Sequence, residues 1–352
     1  MPRTIVLSVD AMGGDQAPDI IVDGVQNLAK TVEEGTLKVL LHGKASLIEP
    51  LLARNAAAAR LCELRHTDTH VAMTDKPSHA IRKARGSSMW NAVEAVKTGE
   101  AHACISAGNT GALMVISKVL LRMARNAHRP AIAASWPTLK GASVVLDIGA
   151  NVECTQTQLV EFAIMGEAFY RAVHGARRPS VGLLNIGSED LKGNDVVRAA
   201  DALLRSVKLD MDYQGFVEGD DISMGKADVV VTDGFTGNVA LKTAEGTARL
   251  ATAFLRQSLR SSPVSMVGGA LCQGAFRKLR ARMDPRKFNG GVFLGLGGVV
   301  VKSHGGTDGV GFANALKVAL NMARSDYASH IAVNLEKLAT SLDTAGNERT
   351  AS

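Results

Sequence analysis

The chain predicts an α/β fold, a three-layer α/β/α sandwich around a mostly parallel sheet, with a helical hairpin projecting from it. Three observations carry this reading. Short apolar runs bounded by Gly, Asp and Asn recur along the chain, as buried parallel strands do. Segments of near-3.6 periodicity lie between several of them, and polar, Gly-rich stretches follow directly after the apolar runs. With 352 residues, 46% of them hydrophobic, the chain is long enough to bury a full core as one large sheet or two lobes. Its 35 glycines and 4% aromatics suit strands that end in tight turns over small side chains.

The apolar runs Ile5-Val6-Leu7, Val39-Leu40-Leu41, Val144-Val145-Leu146 and Val229-Val230-Val231 are read as strands. Ile20 to Val32, Ala45 to Ala59, Thr110 to Arg125, Gln156 to Val173 and Gly193 to Val207 are read as helices, which gives β-α-β-α order with crossover helices. The alternation breaks between Leu250 and Met283. There apolar residues recur at helical spacing on both sides of Pro263 and Gly268-Gly269, and the pattern predicts a hairpin. Beyond Leu342 periodicity is lost, so residues 336–352 are expected to form a helix end and frayed tail. Residues 1–335 then make up one catalytic domain with the hairpin inserted at about 250–285.

Composition removes several function classes. The net charge is +6, but 40 basic and 34 acidic residues are interspersed, so no nucleic-acid partner is expected. Four isolated cysteines without C-x-x-C support neither a zinc site nor a disulfide framework and fit a reducing cytoplasm. Met1 leads into a strand pattern without a signal-peptide layout, and the apolar run Gly290 to Val301 is too short and Gly-rich to span a bilayer. A cytoplasmic protein with at most peripheral membrane contact is expected. G-x-S-x-G, H-E-x-x-H, a well-spaced P-loop and a good G-x-G-x-x-G are all missing. Asp10, Asp15, Asp147 and Asp233 could gather around Mg²⁺ if their loops met, but spacing does not establish that, and no metal is assigned.

Chemistry is expected in the loops after the strands, which would share the ligand-binding edge of an open sheet. Asp10 to Pro18 contains Gly13, Gly14 and Asp15. Its glycines let backbone N–H groups approach an anion, although a tight turn with solvated acids reads the same way. In Ser106-Ala107-Gly108-Asn109-Thr110-Gly111 a strand opens into a helix whose first N–H groups suit phosphate; capping by Asn109 or Thr110 is the plainer alternative. Asn185 to Asn194 places Lys192 between Gly187 and Gly193, where an ammonium could neutralise a phosphate or an oxyanion. Thr232 to Asn238 offers Asp233, Thr236 and Asn238 at another strand-to-helix turn. His304, after an apolar strand, is read equally as structural or as a proton carrier.

Together these loops resemble the phosphate acyltransferases of bacterial phospholipid synthesis, over roughly Thr4 to Ala328. The specific pieces are Asp10 to Pro18, Asp75-Lys76-Pro77 with Ser87-Ser88-Met89, Ser106 to Met114, Asn185 to Asn194, Asp233 to Gly246 and Val299 to Gly305. One departure is His102, where the family often carries an acid. The resemblance implies a fold related to the phosphotransacetylases and the isocitrate and isopropylmalate dehydrogenases, a homodimer and no cofactor. It also implies transfer of a long-chain acyl group from acyl carrier protein to inorganic phosphate, with a downstream glycerol-3-phosphate acyltransferase as partner. Phosphate is then the nucleophile and the pantetheine thiolate the leaving group. Lys192 and Asn238 are chosen to stabilise the oxyanion, with Asn109, Thr110 and the Gly13-Gly14 turn shaping the phosphate pocket.

Arg277, Lys278, Arg280, Arg286 and Lys287 lie on the second arm of the hairpin, and Val264, Met266, Val267 and Leu271 near its turn. Basic flanks would dock an acidic carrier and an apolar tip would touch the bilayer, while a dimerisation hairpin is the alternative. Two other functions are weighed. A nucleotide-dependent dehydrogenase would need better glycine fingerprints, and a non-enzymatic adaptor would not need polar loops at so many strand ends.

Overall fold

The computed structural model describes residues 4–76, 84–189 and 191–350, with side chains to residue 344. Among these residues eleven strands form one sheet. They are β1 (Ile5–Asp10), β2 (Leu37–Gly43), β3 (Cys62–His66), β4 (Ala103–Ser106), β5 (Ala131–Thr138), β6 (Gly141–Leu146), β7 (Ser180–Leu184), β8 (Asp212–Val217), β9 (Val229–Val231), β10 (Gly291–Leu294) and β11 (Val299–Lys302). Their spatial order is β3-β2-β1-β4-β11-β10-β5-β6-β9-β7-β8.

Neighbours are parallel except where β10 meets β11 and β5, and where β5 meets β6. Following these reversals across the sheet, β3, β2, β1, β4 and β11 run one way and β6, β9, β7 and β8 run the other. The C-terminal ends of the two parallel halves therefore lie at opposite edges of the sheet. This corrects the expectation of a single ligand-binding edge.

Three layers follow from the strand pleat, because successive side chains enter opposite faces. On β4, Ala103 and Ile105 join the core that contains the helices Asp19–Ala29, Gln156–His174 and Gly309–Arg324. Cys104 between them joins the opposite core, with Met89, Val93, Leu113 and Ile116 of the helices Ser88–Lys97 and Thr110–Leu121. Val144 and Leu146 of β6 likewise face one side and Val145 the other.

Several boundaries differ from expectation for local reasons. The Ala45 to Ala59 pattern divides at Asn55, with φ −121° and ψ 72°, into the helices Ala45–Arg54 and Ala56–Leu61. The helix from Thr110 stops at Leu121, because Arg122 adopts φ 60° while its carbonyl accepts from Gly297 N–H. At the C-terminus the backbone stays helical from Tyr327 to Thr350, past the predicted end of order near Leu342. Ile331, Leu335 and Leu338 bury one face of that helix.

The hairpin is longer than predicted. Its first arm is the 26-residue helix Gly234–Leu259, about 39 Å at 1.5 Å per residue. Ala240, Leu241 and Ala244 pack on the sheet with Val145, Val217 and Val230, whereas Leu250 and Phe254 are exposed. Pro263 does not mark the bend; it is the first residue of the helix Pro263–Leu271, capped by Ser262, and Gly268-Gly269 sit inside that helix. The helix Gln273–Arg282 brings the chain back to a 3₁₀ turn, Pro285–Phe288. There Arg286 pairs with Asp284 at 2.7 Å and with Asp308 at 3.0 Å.

Candidate functional site

Two loop clusters stand at the two edges. The first gathers the loops after β1, β4 and β11, three strands adjacent in the sheet. At its centre Asp10, 1% exposed, accepts from Met12 N–H at 3.2 Å and from Ser106 Oγ–H at 2.7 Å. Ser106 Oγ in turn accepts from Gly108 N–H at 3.0 Å. A Cβ on Gly13 would stand 2.5 Å from Asp10 Oδ2 and 2.6 Å from Gly108 N, so a side chain there would push the β1 and β4 loops apart. Gly14 has φ +117°, a backbone few other residues adopt, and Asp15 N–H then donates to Gly305 O at 3.0 Å, which joins the β11 loop to the other two.

Burial pushes the Asp10 carboxyl above its usual range, against the pull of the Ser88 and Ser106 hydroxyls, Met12 N–H and His70. Half-buried Lys302 ends β11 beside it. Its Nζ donates to Ala107 O at 3.2 Å and to Ser303 O. Burial brings the Lys302 ammonium down to about 8, although Asp10 and Asp15 hold it up. At the rim, His304 Nδ1 accepts from Gly306 N–H at 3.1 Å, so a neutral His304 ring carries its proton on Nε2. His304 N–H donates to Asn289 Oδ1 at 2.9 Å, next to the landing of the hairpin.

The second cluster gathers the loops after β6, β7 and β9. Fully buried Asp147 accepts at Oδ1 from the N–H groups of Ile132, Gly149 and Ala150, and at Oδ2 from the backbone and side-chain N–H groups of Asn151. Gly234 plays the part of Gly13 here, since a Cβ would stand 2.7 Å from Asp147 Oδ2. Exposed Asn238 donates through Nδ2 to Ile148 O at 3.1 Å. Lys192 is also exposed, and its stem lies over Gly187, whose added Cβ would stand 2.8 Å from Lys192 Cγ.

The family model described as fatty acid synthesis protein matches residues 5–330. The phosphate acyltransferase of Maricaulis maris is 61% identical over 95% of each chain, and that of Caulobacter vibrioides is 56% identical over 96% of this chain and 93% of the relative. The chain belongs to the phosphate acyltransferase family. Its fold is that of the phosphotransacetylases. A Streptococcus pyogenes phosphotransacetylase superposes with TM-score 0.61 at 15% identity, over 91% of this chain and 94% of that one. The EutD phosphotransacetylase of Staphylococcus aureus gives 0.59 at 14%, with the same coverage.

Of the residues chosen from sequence, Asp10, Gly13, Gly14, Asp15, Ser106, Gly108, Asn109, Thr110 and His304 come together in the first cluster. Lys192, Asp233, Thr236 and Asn238 belong to the second. Sequence reasoning joined Lys192 and Asn238 to the Asn109–Thr110 pocket; the strand directions put them at the other edge of the same chain. Several side chains are also committed elsewhere. Asn109 is the helix cap, accepting from Ala112 N–H at 3.0 Å and donating to Met73 O and Asp75 O at 2.9 Å, so its amide ties down a loop. Ser106 is fully buried and orients Asp10. Asp233 accepts from both N–H and Oγ1–H of Thr236 at 2.8 Å, which is capping. Pro77 and Asp190 lie outside the described residues.

In the hairpin Arg277, Lys278 and Arg280 are exposed. Arg286 and Lys287, expected beside them as docking groups, are exposed too, with Arg286 paired to Asp284 and Asp308 and Lys287 Nζ donating to Ala281 O. Lys302 is the residue the sequence reading passed over. A lysine closing the apolar run Val299-Val300-Val301, just before the Ser303-His304-Gly305 loop, was the available signal. His102, the departure from the family pattern, accepts through Nδ1 from Val6 N–H at 2.9 Å and is structural.

Proposed function

We propose that this phosphate acyltransferase takes its acyl group from the thioester of acyl carrier protein and holds inorganic phosphate in the first cluster, releasing a long-chain acyl phosphate for phospholipid synthesis. The observation that carries the reading is the knot of three Gly-rich loops around Asp10 and Lys302, beside which the basic hairpin lands. The helix Thr110–Leu121 begins there, and the first N–H groups of a helix have no partner within it and favour an anion. His304 Nε2–H adds a donor at the rim. Asp10 stays buried beneath the loops, beside Lys302.

Phosphate attacks the thioester carbonyl, so the protein needs no nucleophile of its own. Its work is to hold the two substrates in line and to stabilise the tetrahedral oxyanion. Lys192 and Asn238 remain the proposed oxyanion donors. The clusters are offset by five strand spacings across the sheet, about 24 Å at about 4.8 Å each, and stand at its opposite edges, so in this reading these donors reach the same acyl group from a second protomer. A homodimer supplies that arrangement.

Exposed Arg277, Lys278 and Arg280 suit an acidic carrier, and exposed Val264, Met266, Val267 and Leu271 suit transient contact with a bilayer surface. No helix among the described residues is long and apolar enough to cross a membrane. A cytoplasmic enzyme working at the inner membrane face, handing its product to a glycerol-3-phosphate acyltransferase, fits these surfaces.

The test is release of carrier thiol from an acyl carrier protein thioester. Release should require phosphate and yield acyl phosphate in equal amount. Thiol release at the same rate without phosphate would overturn the reading.

A further inference from the structure

We propose that Lys302 is a catalytic residue, its Nζ taking the proton from the attacking phosphate and delivering it to the departing thiolate. The inference rests on the phosphate site proposed above. Nζ is bonded to its own stem and donates to two carbonyls, Ala107 O at 3.2 Å and Ser303 O. A neutral amine has two N–H groups, and these two carbonyls use both. The remaining tetrahedral position is the lone pair when the group is neutral and the third N–H when it is charged, so a proton enters and leaves at that one position.

The surroundings suit a proton carrier. Lys302 pairs in register with Ser106 across β11 and β4, and the Asp10–Ser106 contact lies alongside. The acids that act on the ammonium are Asp10 from β1 and Asp15 from the loop after it. On β4, the buried thiol of Cys104 is held well above its ordinary value by burial and by Asp10, so it stays protonated. β10 presents Gly291 in register, and among the described residues the further titratable groups of this cluster are His70, which acts on Asp10, and His304 on the following loop. Burial brings Lys302 to about 8, where both forms are populated near neutral pH.

The step balances. As an oxygen of hydrogen phosphate forms its bond to the thioester carbon, its proton passes to Nζ. As the C–S bond breaks, the electron pair goes to sulfur and the Nζ proton follows it. The products are acyl phosphate and carrier thiol. Nothing is oxidised or reduced, and the amine is regenerated.

The test compares Lys302→Arg and Lys302→Ala with the wild type on an acyl carrier protein thioester. Wild-type phosphorolysis serves as the control, since its absence would sink the parent reading and leave this one without a reaction. Lys302→Arg keeps the charge but is too weak an acid to exchange its proton, so kcat should fall at least about a hundredfold while KM for phosphate changes by less than about threefold. Lys302→Ala should regain activity with added ethylamine in proportion to the free base. In the wild type, kcat should rise through a group near pH 8 whose midpoint moves strongly with temperature, as amine ionisation does and phosphate ionisation does not. That last measurement needs no variant and stands even if both substitutions unfold. Retained kcat in Lys302→Arg, a defect confined to KM for phosphate, or a wild-type profile without the amine limb would each overturn the proposal.

Discussion

Two carboxylates end two strands at opposite edges of the sheet, and they are treated differently. Asp147 accepts three hydrogen bonds on one oxygen and two on the other, all from its own loop and the adjacent start of β5. Asp10 accepts one on each oxygen, from Met12 and Ser106, and has a half-buried lysine close by. Both carry a glycine pressed against Oδ2, Gly234 in one case and Gly13 in the other. The same strand-to-loop device thus serves two ends. A carboxylate whose acceptor sites are filled by backbone N–H groups fixes loop shape. One left partly unfilled beside an amine keeps proton chemistry within reach.

The largest expected effect separates the two acids. Asp147→Ala leaves four backbone N–H groups without their acceptor and should cost about 3–5 kcal/mol, read as a lowered urea midpoint. Asp10→Asn keeps the shape and removes a costly buried charge, so stability should change by less than about 1 kcal/mol, while phosphorolysis falls at least about a hundredfold. Equal stability losses at the two positions would erase the distinction.

Next in size is the claim that the clusters cooperate across protomers. Lys192→Ala should lower turnover about a hundredfold with the fold intact. Mixing unfolded and refolded Lys192→Ala and His304→Ala proteins should restore up to about a quarter of wild-type activity, because half the dimers would carry one intact site of two. No recovery from two inactive parents would place both residues in sites that do not meet, and near-wild-type turnover of Lys192→Ala would remove the second cluster from the chemistry.

A smaller effect belongs to the hairpin. Reversing Arg277, Lys278 and Arg280 to Glu should raise KM for the carrier severalfold, and the wild-type KM should rise with salt. Because Arg286 is bound to Asp284 and Asp308, Arg286→Ala should instead loosen the landing beside Asn289 and lower kcat more than it raises KM. Unchanged KM in the charge reversals, together with a monomeric product, would make the hairpin a dimer element.

Much of the fold was legible because it is written in local periodicity. Val39 to Leu41 and Val229 to Val231 form strands, and the helix Gln156–His174 ends one residue from its predicted limit. Strand direction was not legible. It depends on β10 and β5, which pair antiparallel across more than 150 residues of intervening chain, and nothing local in either segment encodes that partner. This is why loops that all follow strands, and so look alike in sequence, divide between two edges. The site was legible as loops and less so as roles. Asn109 and Asp233 look like ligand residues but spend their side chains on helix caps. Lys302 looks like the flank of a strand, yet three folded loops surround it. Whether a polar group is free or engaged is a tertiary fact, and composition carries no record of it.

In the proposed reaction phosphate occupies the first cluster. Hydrogen exchange of the full-length protein with and without saturating inorganic phosphate tests it directly, since bound anion slows exchange at the N–H groups it contacts and in the loops it stills. Exchange should slow in residues 11–16, 107–111 and 303–308, with 148–152 and 233–238 unchanged. Protection confined to the loops of Asp147 and Asp233 would contradict it.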